Sequence, residues 1–396
     1  MNILFLYISL SHLSQNGVFV DLIKEFDKQG HNVKVVTPSR NGDSVGLSKE
    51  AGIYVVRFKA GQLTNNKSNI QKGIAYIKLI YQFTRAVKKH FASEKFDLII
   101  AHSLPPEIGI ITNKLKRIYK AKLYLMLCEY VWQDSVSLDF FSEKSLICRY
   151  YKYLEKKMVH VADFIGSPSQ GNIDFTLKYY PCAKNKNIRI LHHTKAPLSI
   201  ESAGIDFKAK YGIQDKFVAI YGGNMSIAQK IENVIKLAHE CLDYKDICFL
   251  MLGRGQDVEW CKKAAEQKKL TNIVFVDFLP QEEYYKLLSV CDVGIISLNE
   301  KLATPNIPSK TLDFFNLALP VLASIDRTTD YGYYLDTAEA GLWSYAGDTD
   351  VFKKNLLRLY LSPDLRKKMG QNGLKFYKNN LMPIHGYNTI IKQVNS

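Results

Sequence analysis

The sequence predicts an α/β protein built from two doubly wound parallel sheets, and three observations carry that expectation. Strand-like apolar runs alternate with helix-like stretches, the β-α-β-α rhythm of a parallel sheet with helices on both faces. The rhythm restarts after "IRILHHTKAP" (188–197). The length, 396 residues, exceeds what one ordinary core fills, so two domains are the natural division.

Each element follows in order. Ile3–Ile8 reads as a first buried strand; with no basic n-region and no small-residue cleavage site, it is not a signal peptide. Gly17 leads into the helical "VFVDLIKEFDKQG", and the strands "NVKVVTP" and "IYVVRF" follow. A long basic helix over 70–92, the strand "FDLIIAHS", a helix near 107–119 and the strand "KLYLMLCEY" come next. In the second half "FVAIYGGN", "ICFLMLGRG", "IVFVDFLP", "DVGIISL" and "PVLAS" read as strands. Helices over 229–242, 256–269, 281–290 and 308–319 separate them. Residues 351–392 read as helices, with Pro383 and Gly386 breaking the last stretch. Pro197 and Gly204 interrupt the pattern near 196–205, which divides the chain into domains 1–198 and 199–375 with a tail 376–396.

Composition narrows the class. Apolar content of 47% and charge of 23% describe a globular chain. No apolar run reaches the ~18 residues a membrane span needs. The seven cysteines are scattered without a CxxC pair, which favours reduced thiols in a cytoplasmic protein and offers no metal framework. The net charge of +15 is uneven: residues 1–196 hold 29 Lys and Arg against 15 Asp and Glu. The excess clusters in Lys67–Lys95, 113–122 and 148–157, interleaved with Tyr76, Tyr81, Phe83, Phe91, Tyr150, Tyr151 and Tyr153. A basic half with amphipathic rings suits an anionic membrane surface better than nucleic acid.

Open parallel sheets bind ligands beyond the carboxyl ends of their strands. The segments to watch are therefore 9–17, 102–106, 221–229, 253–256, 278–281 and 298–310. Gly17 opens a helix, where a glycine lets a phosphate approach the backbone amides or simply makes a turn. No GxGxxG is present, so a nicotinamide or flavin is not supported. His102 ends a strand and is placed to bond a sugar hydroxyl or handle a proton. His192 and His193 lack ligand partners at metal spacing. In "GGNMSIAQK" (222–230), Gly222, Gly223, Asn224, Gln229 and Lys230 are suited to cradling a diphosphate; "LGRGQD" (252–257) adds Arg254, and Phe278 ends the next strand. Asp348 and Asp350 form a DxD, a pattern that elsewhere holds a metal; here either acid reads as a helix N-cap. In "NIPSKTLDFFNLALPVLAS" (306–324), Ser309 reads as a helix cap. The sharper reading is an anion site at the helix mouth, with Lys310 and Asp313 on one face and Thr311 between them.

With these loops in place the chain resembles a retaining glycosyltransferase of family 4, on the GT-B fold. The resemblance is patchy in the first domain (Gly17, "FDLIIAHS", "EYVWQDS", "VADFIGSPSQGN") and close to continuous from 217 to 373. "IYGGNMSIAQKIENVIKLA", "FLMLGRGQD", "NIVFVDFLPQEEYYKLLSVCDVGIISL" and "IPSKTLDFFNLALPVLAS" fit family blocks in order. The "GN…AQ" and "PSK" variants resemble the branch that builds bacterial capsule, exopolysaccharide and O-antigen units.

The resemblance implies two Rossmann-like domains facing across a cleft, an acceptor bound by the first, and a donor held mainly by the second. It implies no metal, and a C-terminal helix crossing back to the first domain, for which the tail is placed. Carried over by position, Asp313 matches the acid that binds the ribose hydroxyls, His102 a histidine at the donor sugar, and Gly17 the glycine under the phosphate. The family usually has a Glu at the place of Asp313 and another eight positions earlier; position 305 here is Pro. Asn224 and Gln229 stand where Arg and Lys are usual, so Lys310, Lys230 or Arg254 must supply the charge, with the amides of Ser309–Thr311. The expectation is transfer from a UDP sugar to a lipid-linked carbohydrate acceptor at the inner membrane face, with His102 and Lys310 as the catalytic pair. A nucleotide-sugar epimerase of the same fold, or an inactive homologue acting as a binding partner, are the alternatives.

Overall fold

The computed structural model describes residues 1–40, 43–60, 69–198 and 206–396, with the backbone alone for 69–77. Gly204, Lys67 and the side chain of Tyr76, singled out above, lie outside the described residues. The chain divides into two compact units, Met1–Ala196 with Met382–Ser396, and Pro197–Leu381.

The first unit runs β1 (Asn2–Leu6), α1 (Val18–Lys28), β2 (Asn32–Pro38), β3 (Gly46–Glu50), β4 (Ile53–Phe58) and α2 (Asn69–Phe91). It continues through β5 (Leu98–His102), α3 (Ile108–Tyr119), β6 (Lys122–Met126), α4 (Trp132–Ser137), α5 (Leu146–Val161), β7 (Phe164–Ser167), α6 (Gln170–Tyr179) and β8 (Asn187–Ile190). Its sheet has the order β3-β4-β2-β1-β5-β6-β7-β8 and is parallel except for β3. Alternate residues of β1 feed opposite layers: Ile3 and Phe5 pack with α1, whereas Leu4 and Leu6 pack with α2, α3 and α5.

The second unit runs α7 (Phe207–Lys210), β9 (Phe217–Asn224), α8 (Glu232–Glu240), β10 (Ile247–Arg254), α9 (Val258–Gln267), β11 (Ile273–Val276) and α10 (Gln281–Leu288). Then come β12 (Val293–Ser297), α11 (Thr311–Asn316), β13 (Val321–Ile325), α12 (Tyr331–Ala338), β14 (Gly341–Tyr345), α13 (Thr349–Leu361) and α14 (Pro363–Asn380). The sheet order is β11-β10-β9-β12-β13-β14, all parallel.

The tail helix α15 (Pro383–Val394) belongs to the first unit and packs on α1. Buried Gln393 locks it in: its amide donates to Ile165 O at 3.1 Å and Asn187 O at 2.7 Å, and its Oε1 accepts from Tyr124 Oη at 2.8 Å. Gly386 does not break this helix. A Cβ there would stand 3.1 Å from Thr194 Oγ1 and 3.2 Å from Leu22 Cδ1, so its missing side chain admits the helix to α1.

Some expectations need correction. The stretch read as a helix over 308–319 is helical only over the six residues of α11. The stretch from 229 starts helically only at Glu232, after a 3-10 turn Ile227–Gln229. Several elements were not anticipated, among them β3, α5, α12 and β14. β3 ("GLSKE") is a polar antiparallel edge without a strand-like pattern. Helix α5 carries a buried stripe inside what reads as a solvated basic cluster. Helix α12 and β14 lie in the aromatic stretch 331–345.

Candidate functional site

Each sheet has one point where the strand order reverses. In the first unit it lies between β1 and β5, in the second between β9 and β12. Chains leaving neighbouring strands in opposite directions open a crevice there. The segments after β9 and β12 carry Gly222 to Lys230 and the run up to Lys310.

In the second unit β9 ends in Gly222, Gly223 and Asn224. Gly223 has φ +137, and a Cβ on it would collide with the Lys310 side chain. The next strand end, Gly253, has φ +151, and a Cβ there would strike the Gly223 carbonyl. Only glycine satisfies both the dihedral and the approach, so the two loops and Lys310 close on one another.

The Lys310 ammonium donates to Tyr221 Oη at 3.1 Å and lies 4.3 Å from the Tyr221 ring centroid. Tyr221 in turn donates its proton to Asn224 O at 2.5 Å. Lys310 makes no ion pair among the described residues, and burial lowers its pKa to about 8. Even a half-buried ammonium without a carboxylate is costly to keep charged, and an anion at this loop would stabilise it.

The neighbours are engaged in different ways. Lys230, at φ +38, forms an ion pair with Glu300, so its charge is already compensated. Gln229 accepts from Ser226 Oγ. Arg254 ends β10, exposed, with its guanidinium carbon 4.9 Å from the centroid of exposed Phe278. Asp313 is buried on α11, and Tyr284 of α10 lies over Gly222. Burial, then the Asp313 carboxylate, raise the Tyr284 pKa above its ordinary value.

Ser309 does not cap α11. Lys310 holds the cap position with helical dihedrals, and no side chain caps the helix. The Thr311 amide is bonded to Pro308 O at 3.1 Å and its hydroxyl to Tyr331 Oη at 2.6 Å. Thr311 therefore serves the packing of α11. Approach to Lys310 is set by the preceding loop. Asn299 bonds Ile227 O at 2.8 Å, Thr328 bonds Leu302 O at 3.1 Å, and Thr329 bonds Asn306 O at 2.7 Å.

In the first unit Gly17 precedes α1 with extended dihedrals (φ 174, ψ 158), and a Cβ on it would meet nothing within 4 Å. His102 closes β5. Its Nδ1 accepts from the Leu104 amide at 3.1 Å, so the neutral ring carries its proton on Nε2. Phe19 packs edge-on at 4.8 Å, and burial, then His193, lower the His102 pKa to about 3. At neutral pH this ring is a fixed hydrogen-bond donor and a weak base. Asp348 caps α13 through Val351 N at 3.0 Å, as a helix-start acid does.

Sequence reasoning missed Tyr221 and Tyr284. Both sit where a strand or helix core residue is expected, yet Tyr221 faces Lys310 with ring and hydroxyl and Tyr284 lies against Gly222 with both.

The two open sheets and their switch points define the GT-B fold, and comparison with solved structures agrees. Sucrose-phosphate synthase from Thermosynechococcus elongatus superposes with a TM-score of 0.78 at 14% identity, covering 99% of this chain and 98% of that one. Anabaena HepE in complex with UDP and glucose gives 0.72 at 14%, covering 100% and 99%. Residues 205–376, the stretch that holds the glycine loops and Lys310, match the family model described as Glycosyl transferases group 1. An uncharacterized glycosyltransferase of Methanocaldococcus jannaschii is 24% identical over 237 residues, 58% of this chain and 58% of its own length. A chitobiosyldiphosphodolichol beta-mannosyltransferase of Dictyostelium discoideum is 31% identical over 121 residues, 30% of this chain and 22% of its own length.

Proposed function

We propose that the protein is a retaining glycosyltransferase of family 4, in the branch that builds bacterial surface polysaccharide. It would transfer a sugar from a UDP sugar to a lipid-linked carbohydrate. The observation that carries this reading is Lys310, a half-buried cation with no carboxylate partner among the described residues, seated against Gly223. A diphosphate is the anion that suits one fixed ammonium beside exposed backbone.

The chemistry assigned to these residues is as follows. The bond from the anomeric carbon to the diphosphate oxygen breaks. The acceptor oxygen bonds that carbon on the same face, and its proton passes to the leaving phosphate. Lys310 neutralises charge as it builds on the phosphate, a preorganised contribution on the order of 3–4 kcal/mol. Asp313 would accept from the ribose hydroxyls, and Arg254 with Phe278 would border the nucleotide. His102 would donate Nε2–H to a sugar hydroxyl. Protein cations in place of a divalent ion make the reaction metal-independent. Support for a UDP sugar comes from HepE, solved with UDP and glucose. Support for a lipid diphosphate acceptor comes from the Dictyostelium relative, whose name carries one. A cytoplasmic enzyme peripheral to the inner membrane face, held by its basic first unit, is the setting this implies.

The test is thermal-shift screening against a panel of nucleotide sugars, followed by transfer to a lipid-diphosphate-linked acceptor. Stabilisation by a UDP sugar and a glycosylated lipid product are expected; no shift with any nucleotide sugar would overturn the reading. Asn224, Gln229 and the Lys230–Glu300 pair favour one second reading, an inactive homologue that binds nucleotide sugar as a partner subunit. Tight binding with no transfer would select it.

A further inference from the structure

We propose that the outward face of α5, with Phe140 before it, is a docking surface for an anionic lipid bilayer. The proposal deepens the membrane partner named above and rests on that reading.

The inward face of α5 is fully accounted for. Cys148, Leu154, Met158 and Val159 are buried, and Glu155 accepts the Val131 and Trp132 amides at 2.6 and 3.2 Å. Ser145 caps the helix through Cys148 N at 3.2 Å. None of this requires apolar residues outside, yet Leu146 is 80% exposed, Phe140 61%, Tyr153 58% and Tyr150 42%. Scattered single apolar residues are ordinary on a surface, but 146, 150 and 153 recur at helical spacing along one face.

The charges on α5 and on the turn before it are mostly positive, with exposed Asp139 the acid beside Phe140. Glu155 is buried and Glu143 pairs with Lys152 at 2.8 Å. Lys144, Arg149, Lys156 and Lys157 make no ion pair among the described residues. Lys157 lies 5.7 Å from the Tyr153 ring, a cation beside an interfacial aromatic. Neighbouring α3 exposes Lys114, Arg117 and Ile118 as well.

This pattern selects among occupants. Aliphatic Leu146 gains nothing from a nucleic-acid backbone. A second copy of the chain seated face to face would oppose like charges. An anionic bilayer satisfies both components: apolar tips enter the headgroup boundary while the cations meet lipid phosphates.

The experiment is vesicle flotation of the full chain, with phosphatidylcholine alone and with phosphatidylglycerol added. Binding is expected only with the anionic lipid, and is expected to fall as salt is raised. Paired Leu146→Asp and Tyr153→Asp are expected to weaken it at least ~10-fold, as are paired Arg149→Glu and Lys156→Glu. Phe140→Ser with Tyr153→Ser provides a milder pair should the first misfold. Equal binding to neutral vesicles, unchanged binding by the variants, or a wild-type dimer that these substitutions dissolve would each overturn the proposal. UDP binding by calorimetry without vesicles tests the donor reading separately, and is expected to be unaltered in the variants.

Discussion

Replacing Lys310 with Met is expected to stabilise the free protein while impairing nucleotide binding, a pair of opposite effects that a merely structural lysine would not give. Burial lowers the Lys310 pKa from 10.5 to about 8. At about 1.4 kcal/mol per unit, that difference sets a ceiling of about 3.5 kcal/mol on the cost of keeping the ammonium charged below pH 8. Partial solvation reduces it, and losing the bond to Tyr221 costs about 1 kcal/mol. Tyr221 keeps its partner, Asn224 O, so no hydroxyl is orphaned. The net gain is about 1–2 kcal/mol, or roughly 3–6 °C in melting temperature for a unit of this size. The sign depends on pH. Between pH 8 and 10.5 the unfolded chain still holds the proton that the folded one has released, so wild-type stability rises through that window. The advantage of Met is therefore full below pH 8 and gone above 10.5. UDP affinity, measured by calorimetry at pH 7, is expected to fall ~10–100-fold, the value of one charged hydrogen bond. A variant that melts lower at pH 7, or that binds UDP as wild type does, would refute the assignment.

The remaining predictions test other parts of the site. Gly253→Ala must both leave φ +151 and displace the Gly223 carbonyl, and is expected to cost at least ~3 kcal/mol in thermal unfolding. Thr311→Val removes the bond to Tyr331 and is expected to cost about 1–2 kcal/mol with UDP affinity unchanged, which separates packing from binding. His102→Ala is expected to lower turnover, yet wild-type kcat/KM should show no limb near pH 6–7, because its ring stays neutral above about pH 3. Chelation with EDTA is expected to leave transfer unchanged; abolition by EDTA with rescue by Mn²⁺ would return Asp348 and Asp350 to consideration.

What was legible in the sequence follows from which constraints are local. Strands such as Val293–Ser297 and Val321–Ile325 are buried on both faces, so their composition announces them. Gly223 was legible because a glycine pair ending a strand marks a loop that must admit a close neighbour, here the Lys310 side chain. The antiparallel β3 was hidden because Glu50 answers to Arg57 rather than to an apolar layer; their side chains bond at 2.7 Å. The burial of α5 was masked by lysines every few residues on its other face. Lys230 looked available because its partner, Glu300, lies 70 residues away. The hydroxyls of Tyr221 and Tyr284 were hidden for the same reason, since Gly222 and Lys310 meet them only after folding.

The most direct measurement is a crystal structure with UDP bound. The pyrophosphate is expected within hydrogen-bond reach of Lys310 Nζ and against Gly223, with the ribose at Asp313 and no metal ion between the phosphates and the protein. UDP bound away from residues 309–313, or bridged to the protein by a divalent cation, would contradict the role given to Lys310.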